Sequence, residues 1–205
     1  YPTLDPFSVK DMLKAHGLMM EALADDAGHF RKREVGVFQG NVPIHVAPPA
    51  GKVPYLMDDL FKWLRNSKDH LLIKSCVFHY EFEFIHPFSD GNGRIGRLWQ
   101  SLILGKLNPV FEHLPVENMV FSNQQKYYQA IQKSTQKADS GIFIDFMLEE
   151  ILKTLKERKG EPLKKHYQSS TSSVPDQYQS QPESQPESQP ESLEQKIISI
   201  LKAGE

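Results

Sequence analysis

The stretch HPFSDGNGRIGR, residues 86–97, brings one histidine, one aspartate, one asparagine, two arginines and three glycines together within twelve positions. Pro87 breaks a helix and the glycines weaken one, so the stretch favours a sharp turn that leads into a new helix. The flanking segments, 71–85 and 98–107, are apolar and typical of helices. A glycine-rich loop that opens a helix presents backbone N–H groups beside the positive end of the helix dipole. The pattern therefore predicts a binding site for an anion.

The polar side chains of this stretch indicate that the anion is a phosphate group. Arg94 and Arg97 are three residues apart, so on a helix they share a face and can both bind phosphate oxygens. Asp90 can hold Mg²⁺, and Asn92 offers a neutral donor to a bridging phosphate oxygen. A histidine at the entry of the loop, His86, suits the removal of a proton from a nucleophile. A solvated turn with a capping aspartate and two surface arginines is the alternative, and it would need several independent roles to coincide.

The stretch resembles the signature of the Fic family, HPFx[D/E]GNGRxxR, and matches it at every defined position. The resemblance implies a protein adenylyltransferase, which transfers AMP from ATP to a Tyr, Thr or Ser hydroxyl of a target protein (AMPylation). By position, His86 is the implied general base and Asp90 the implied Mg²⁺ ligand. The implied ATP-binding groups of the motif are Gly91, Asn92, Gly93, Arg94 and Arg97. The related Doc kinases carry lysine at the position of Gly93, so the glycine favours nucleotide transfer over phosphorylation.

Composition is that of a globular chain with one domain of ordinary size and extensions. The chain has 205 residues, of which 39% are hydrophobic, and a formal net charge of −2 that gives no reason to expect nucleic acid or an anionic membrane surface. The single Cys76 excludes an internal disulfide and fits a reducing compartment, so a cytoplasmic location is expected. No apolar run is long enough to span a membrane. Because the chain begins at Tyr1 rather than at a methionine, we expect a fragment of a longer protein.

Apolar residues at helical spacing predict an all-α fold. The resemblance implies a compact Fic-type helical bundle with a small β-hairpin flap. The predicted helices span 5–24, 53–65, 70–84, 94–107, 114–121 and 142–156, with a further helix from Ser122 or Asn123 to about Lys133. The helix 70–84 is apolar nearly all round and should be the central buried one. In it, Glu81 and Glu83 are two residues apart and do not share a helix face, so both are interpreted as structural.

Alternating residues between Arg31 and Pro49 predict the hairpin, with its turn at residues 39–41. In the Fic family the matching element is a flap over the active site that docks the target by strand pairing. The resemblance therefore implies a target-docking role for Val42, Ile44 and Val46. An ordinary structural hairpin is the alternative.

Two tyrosines extend the resemblance beyond the motif. The segment YYQAI, residues 127–131, resembles the part of the Fic fold that lines the nucleotide base. Tyr127 and Tyr128 are therefore candidates for stacking on adenine, and a role in the hydrophobic core is the alternative for each of them.

The C-terminal part of the chain differs in character from the rest. Residues 1–158 are expected to form the Fic domain, and residues 159–192, which repeat the sequence QPES, are too polar to bury a core and predict a flexible linker. Residues 193–205 are amphipathic and resemble the first helix of the winged-helix domains that often follow Fic domains. The chain stops before a recognition helix, so nucleic-acid binding is not supported.

Control of the activity is the last expectation. Fic proteins are commonly inhibited by a helix bearing [S/T]xxxE[G/N], whose glutamate pairs with the arginine that corresponds to Arg97. No glutamate of the chain fits: Glu117 is followed by Asn118, but His113 stands where Ser or Thr is required. We therefore expect Arg97 to be free for ATP, and an inhibitory helix to lie upstream or on a partner.

Two other functions stay open on the sequence alone. One is a Fic-fold enzyme that uses another nucleotide donor or removes AMP from its targets. The other is a regulatory module that senses ATP and is attached to a DNA-binding domain.

Overall fold

A computed structural model describes residues 4–39, 42–158, 195 and 197–199. In chain order the elements are α1 (Val9–Met20), β1 (Gly36–Gln39), β2 (Val42–Val46), α2 (Val53–Asn66), α3 (Leu71–Ile85), α4 (Asn92–Gly105), α5 (Val116–Ser122), α6 (Gln124–Lys137) and α7 (Gly141–Arg158). Short 3-10 turns precede α2 and α5. The prediction of an all-α fold is confirmed. None of the helices in these ranges has the length and apolar character that a membrane span requires.

Helix α3 lies between the two halves of the hydrophobic core, because it carries apolar side chains on both faces. Leu72, Cys76 and Tyr80, four residues apart, pack in one cluster with side chains of α5, α6 and α7. Phe78 and Phe82 pack in a second cluster with side chains of α1, α2 and α4. The end of α3 is therefore fixed from both sides, and the loop that follows it starts from a rigid position.

The start of α1 differs from the prediction. The helix begins at Val9 and not at residue 5, because the hydroxyl of Ser8 accepts a hydrogen bond from the backbone N–H of Asp11 at 3.2 Å and caps the first turn. Asp5, the predicted cap, instead accepts from the backbone N–H of Phe7 at 3.0 Å and forms a separate turn.

The end of α6 also differs, since the helix continues to Lys137 through residues predicted to form a loop. Ser134 is fully buried there, and its hydroxyl accepts from the backbone N–H of Phe143 at 3.1 Å. This tertiary contact with the start of α7 holds the last turn of α6, in which Ser134 and Thr135 have lower helix propensity than their neighbours.

Strands β1 and β2 pair antiparallel, with Gly36 opposite Val46 and an irregularity in register between Val37 and Phe38. The base of the hairpin is fixed to the body of the domain by Arg31, whose Nη2 donates to the carbonyl oxygen of Pro48 at 2.6 Å. The side chain of Val46 is 76% exposed.

Most of the predicted C-terminal units, 159–192 and 193–205, lie outside the described residues. The part that is described places Ile197 in the same buried cluster as Leu72 and Leu155, where Ile197 has no exposed surface. Ile198 is half-buried against that cluster. This short helical turn therefore contributes to the core of the helical bundle, and the assignment of 193–205 to a second domain stays a prediction.

We expect Ile197→Ala to lower the free energy of unfolding by about 2–4 kcal/mol, because it leaves a cavity in the core. Ile198→Ala should cost less, since that side chain is only half-buried. Denaturant unfolding of both variants measures the difference. An unchanged stability of Ile197→Ala would contradict the packing of this turn against the domain.

Candidate active site

The loop between α3 and α4 reverses the chain with two residues in the left-handed region. His86, which caps the end of α3, has φ 51°, and Gly91, which caps the start of α4, has φ 82°. A Cβ atom at Gly91 would lie 2.8 Å from Sδ of Met20, so both conformation and space require glycine there. The predicted turn into a new helix is therefore formed, and the first backbone N–H groups of α4 point into the loop.

The guanidinium of Arg31 holds the first half of this loop. Its side chain is buried, Nε donates to the carbonyl oxygen of His86 at 2.7 Å, and Nη2 donates to that of Ile85 at 3.3 Å. The backbone N–H of Arg31 also donates to the carbonyl oxygen of Pro87 at 2.9 Å. Burial lowers the pKa of Arg31 from its ordinary value, but a guanidinium remains charged at neutral pH. The positive charge therefore lies at the carbonyl end of α3, where the helix dipole stabilises it.

His16 of α1 holds the second half of the loop. The backbone N–H of Gly28 donates to Nδ1 of His16 at 2.9 Å, so Nε2 carries the hydrogen and donates to the carbonyl oxygen of Asp90 at 3.0 Å. The imidazole stacks on the ring of Phe88 with centroids 3.7 Å apart. Desolvation lowers the pKa of His16, which favours this neutral form. The histidine is a structural support of the loop, a role that the sequence alone did not reveal.

Asn92 closes the loop on itself. Its Oδ1 accepts from the backbone N–H of Phe88 and its Nδ2 donates to the carbonyl oxygen of Phe88, both at 2.8 Å, and the residue is only 3% exposed. The predicted donation from this amide to phosphate would use the second hydrogen of Nδ2, and it stays a prediction.

Asp90 and Arg94 lie on the open side of the loop. Oδ2 of Asp90 is 3.5 Å from Nη2 of Arg94, and their side chains are 67% and 42% exposed. Oδ1 of Asp90 accepts from the backbone N–H of Gly91 at 2.6 Å. Nowhere in the described part of the chain do three or more His, Cys, Asp or Glu side chains form a metal cluster. One exposed carboxylate beside a candidate anion site still fits Mg²⁺, which is commonly held by one or two carboxylates with substrate phosphates and water.

The expectation that Arg97 is free is wrong in this structure. Nη2 of Arg97 donates to Oε1 of Glu117 at 2.8 Å, and Nε pairs with the other carboxylate oxygen. Glu117 reaches the arginine from the first turn of α5, an element without the sequence of the inhibitory motif. The two residues are twenty positions apart in the sequence, and the fold brings them into contact. An inhibitory helix upstream or on a partner stays a prediction.

Glu83 lies beside His86, one turn earlier on α3. Its Oε2 is 4.0 Å from Nδ1 of His86, and the two side chains are 12% and 18% exposed. Burial raises the pKa of Glu83 to about 7, while the positive charge of Arg97 acts in the opposite direction. Comparison of Glu83 with Glu81 alone did not reveal this contact, because it depends on the left-handed conformation in which His86 ends α3.

The two candidate tyrosines differ in burial. Tyr127 is 3% exposed, and its hydroxyl donates to Nε2 of His79 at 2.9 Å, while Nδ1 of His79 donates to Oε1 of Gln100 at 2.7 Å. Burial lowers the pKa of His79 to about 4, so this network is neutral. Tyr127 therefore belongs to the core, and only the half-buried Tyr128 keeps a surface on which a base can stack.

The structure thus brings together His86, Asp90, Asn92, Arg94 and Arg97 around one loop. Of the three residues predicted to dock a target, only Val46 has a described side chain, and it lies at the end of β2. The side chains of Val42 and Ile44 are outside the description.

The fold and this loop define a Fic domain. Residues 6–104 match the Fic/DOC family, and the chain belongs to that family. A solved Fic family protein from Desulfovibrio desulfuricans is 45% identical, with a TM-score of 0.74 over 78% of this chain and 49% of its own. The Fic-type helical bundle is therefore confirmed.

Named relatives include a probable protein adenylyltransferase from Aquifex aeolicus, 36% identical over 110 residues, which cover 53% of this chain and 31% of that protein. The protein adenylyltransferase Fic of Aedes aegypti is 31% identical over 156 residues, which cover 74% of this chain and 29% of that protein. The chain thus spans less than a third of the length of these two relatives.

Replacing Glu83 by glutamine should stabilise the protein at alkaline pH. Because the pKa of Glu83 rises from 4.5 to about 7 on folding, the folded state retains a proton that the unfolded state releases, and stability falls as pH rises through that window. Glu83→Gln removes this loss, so we expect a gain of up to about 3 kcal/mol above pH 7 and little below pH 4.5.

Denaturant unfolding at several pH values measures this effect. Glu149→Gln, which changes an exposed carboxylate on α7, is the control and should show no such gain. A constant difference between Glu83→Gln and the unmodified chain at all pH values would contradict the raised pKa.

Proposed function

We propose that the domain transfers AMP from ATP to a hydroxyl side chain of a protein. The observation that carries this proposal is the position of His86 at the start of the loop, close to the backbone N–H groups and the two arginines at the beginning of α4. The names of the relatives support the same reaction, since they are protein adenylyltransferases. ATP is the substrate, and the acceptor is a Tyr, Thr or Ser hydroxyl.

The reaction is an in-line displacement at the α-phosphorus. His86 accepts the proton of the target hydroxyl, the hydroxyl oxygen forms a bond to the α-phosphorus, and the bond to the pyrophosphate oxygen breaks. General-base catalysis of this kind accounts for roughly 10²–10⁴ of the rate.

The charge that develops on the phosphates is stabilised by fixed groups of the loop. The N–H groups at the start of α4 and the positive end of its dipole lie beside Arg94 and Arg97. Because Arg31 and His16 fix the backbone of the loop, these donors need little reorganisation when ATP binds. Losing one such donor typically costs about 3–4 kcal/mol of transition-state stabilisation.

Asp90 is the residue that would hold Mg²⁺. The ion, when bound, neutralises polyphosphate charge and assists the departure of pyrophosphate. Asp90 itself lies at the exposed mouth of the loop, 3.5 Å from Arg94, where the carboxylate would hold the ion and the guanidinium would bind a phosphate oxygen beside it.

Two variants separate the proposed roles of the loop residues. His86→Ala should abolish transfer of label from α-labelled ATP but leave ATP binding nearly unchanged, because the histidine acts on the incoming hydroxyl. Asp90→Ala should suppress transfer and make the residual rate indifferent to added EDTA. Self-labelling and labelling of lysate proteins provide the rates, and ATP affinity is measured by calorimetry. Near-normal transfer by His86→Ala would exclude its role as the base.

The ion pair between Arg97 and Glu117 should limit the same reaction. Both carboxylate oxygens of Glu117 contact the guanidinium that the γ-phosphate would otherwise bind. We therefore expect Glu117→Gln to raise the rate of transfer by weakening this competition. Glu150→Gln, which alters the partner of Asn123, is the control and should have no effect. A slower rate with Glu117→Gln would mean that the pair positions Arg97 instead of occupying it.

The hairpin is the proposed docking element for the target. An open strand edge can add an extended segment of a partner by backbone hydrogen bonds, and the exposed Val46 lies on this strand. Val46→Asp should reduce labelling of lysate proteins while ATP binding stays unchanged. Tyr55→Asp, which alters a similarly exposed side chain on α2, is the matched control. Equal labelling by the two variants would exclude this docking surface.

A further inference from the structure

The carboxyl group of Glu83 is buried but lacks a full set of hydrogen-bond partners among the described residues. Its Oε1 is buried and has no hydrogen-bond partner among the described residues, and its Oε2 faces Nδ1 of His86 at 4.0 Å. A buried carboxyl group without a full set of partners lowers stability. Its position therefore calls for a role other than the stability of the helix.

The neighbouring helix leaves space for this carboxyl group. A Cβ atom at Gly96 of α4 would lie 2.8 Å from Oε1 of Glu83. Since Gly96 is in the middle of α4, where glycine weakens a helix, the space is obtained at a cost in helix stability. Two separate observations thus concern Oε1 of Glu83: the atom is buried without a hydrogen-bond partner among the described residues, and the residue opposite it has no side chain.

We propose that Glu83 is a positioning residue for His86: it accepts a hydrogen bond from Nδ1–H, leaves Nε2 as the base, and stabilises the imidazolium. This inference rests on the proposed function of His86. The separation of 4.0 Å is longer than a hydrogen bond, and catalytic hydrogen bonds are often long without substrate and shorten in the reactive complex.

The proton balance of the step is simple. The target hydroxyl loses its proton to Nε2 of His86 while its oxygen bonds to the α-phosphorus and pyrophosphate leaves. Nδ1 keeps its own proton, and the negative charge of Glu83 compensates the imidazolium. The proton on Nε2 is released to water after the product departs.

Three charged or titratable side chains lie near Glu83. His86 follows it at the end of α3, Arg97 faces it from α4, and Tyr127 faces it from α6. Arg97 favours the carboxylate, whereas burial favours the neutral acid and raises the pKa of Glu83 to about 7. Glu83 can therefore support His86 as a carboxylate mainly above neutral pH, where Glu83 is ionised.

The test compares Glu83→Gln with Glu81→Gln in the 205-residue chain. Glu81 lies on the same helix but lines a groove with Tyr80 and Thr135, away from the loop. For Glu83→Gln we expect kcat for self-labelling with α-labelled ATP to fall about tenfold or more, but by less than the roughly 10²–10⁴ that a general base supplies. KM for ATP should not change.

The pH profile separates positioning from a structural role. Without the carboxylate the imidazolium is less stable, so the acidic limb of the profile should move to lower pH in Glu83→Gln. The profile of Glu81→Gln should match that of the unmodified chain. An unchanged rate in Glu83→Gln, or a lower rate with an unmoved acidic limb, would overturn the proposal.

A second measurement keeps the inference independent of transfer itself. Nitrogen NMR of the unmodified chain, with His86 assigned by its loss in His86→Ala, reports which ring nitrogen carries the hydrogen. We expect the Nδ1–H tautomer above neutral pH, and the Nε2–H tautomer would overturn the proposal. If the unmodified chain transfers no AMP, the proposed function fails, while the tautomer still decides the relation between Glu83 and His86.

Discussion

Hydrogen bonds from two buried side chains, Arg31 and His16, to backbone carbonyls hold the chain reversal between α3 and α4. The last carbonyls of a helix have no partner within it, and each one left buried and unpaired costs about 1–3 kcal/mol. Arg31 supplies donors to the carbonyls of Ile85 and His86 where the backbone turns to positive φ. The loop can therefore be both tightly turned and rigid.

The same contacts connect the loop to the rest of the domain. Arg31 also donates to the carbonyls of Arg33 and Pro48, which flank the hairpin, so a single guanidinium joins the hairpin base to the backbone of His86. His16 in turn joins α1 and the turn at Gly28 to the loop. Both supports therefore hold the backbone that carries the candidate base and the candidate anion site.

Two carboxyl groups, one exposed and one buried, lie near Arg97. Glu117 reaches it from the surface with a carboxylate that is 64% exposed, and Glu83 acts on it from the buried side. The exposed carboxylate can be replaced by solvent or ligand at little cost, whereas the buried one cannot leave. The contact between Glu117 and Arg97 is therefore open to exchange with solvent or a ligand.

Local patterns in the sequence were sufficient to predict the helices, the hairpin and the turn between α3 and α4, because helical spacing, glycine and proline act over a few residues. It also identified the loop side chains from His86 to Arg97, which are adjacent in the chain. The end of α6, the burial of Tyr127 and the pairing of Arg97 with Glu117 were decided by tertiary structure. Each of these depends on contacts between separate elements, whose distances no local pattern encodes.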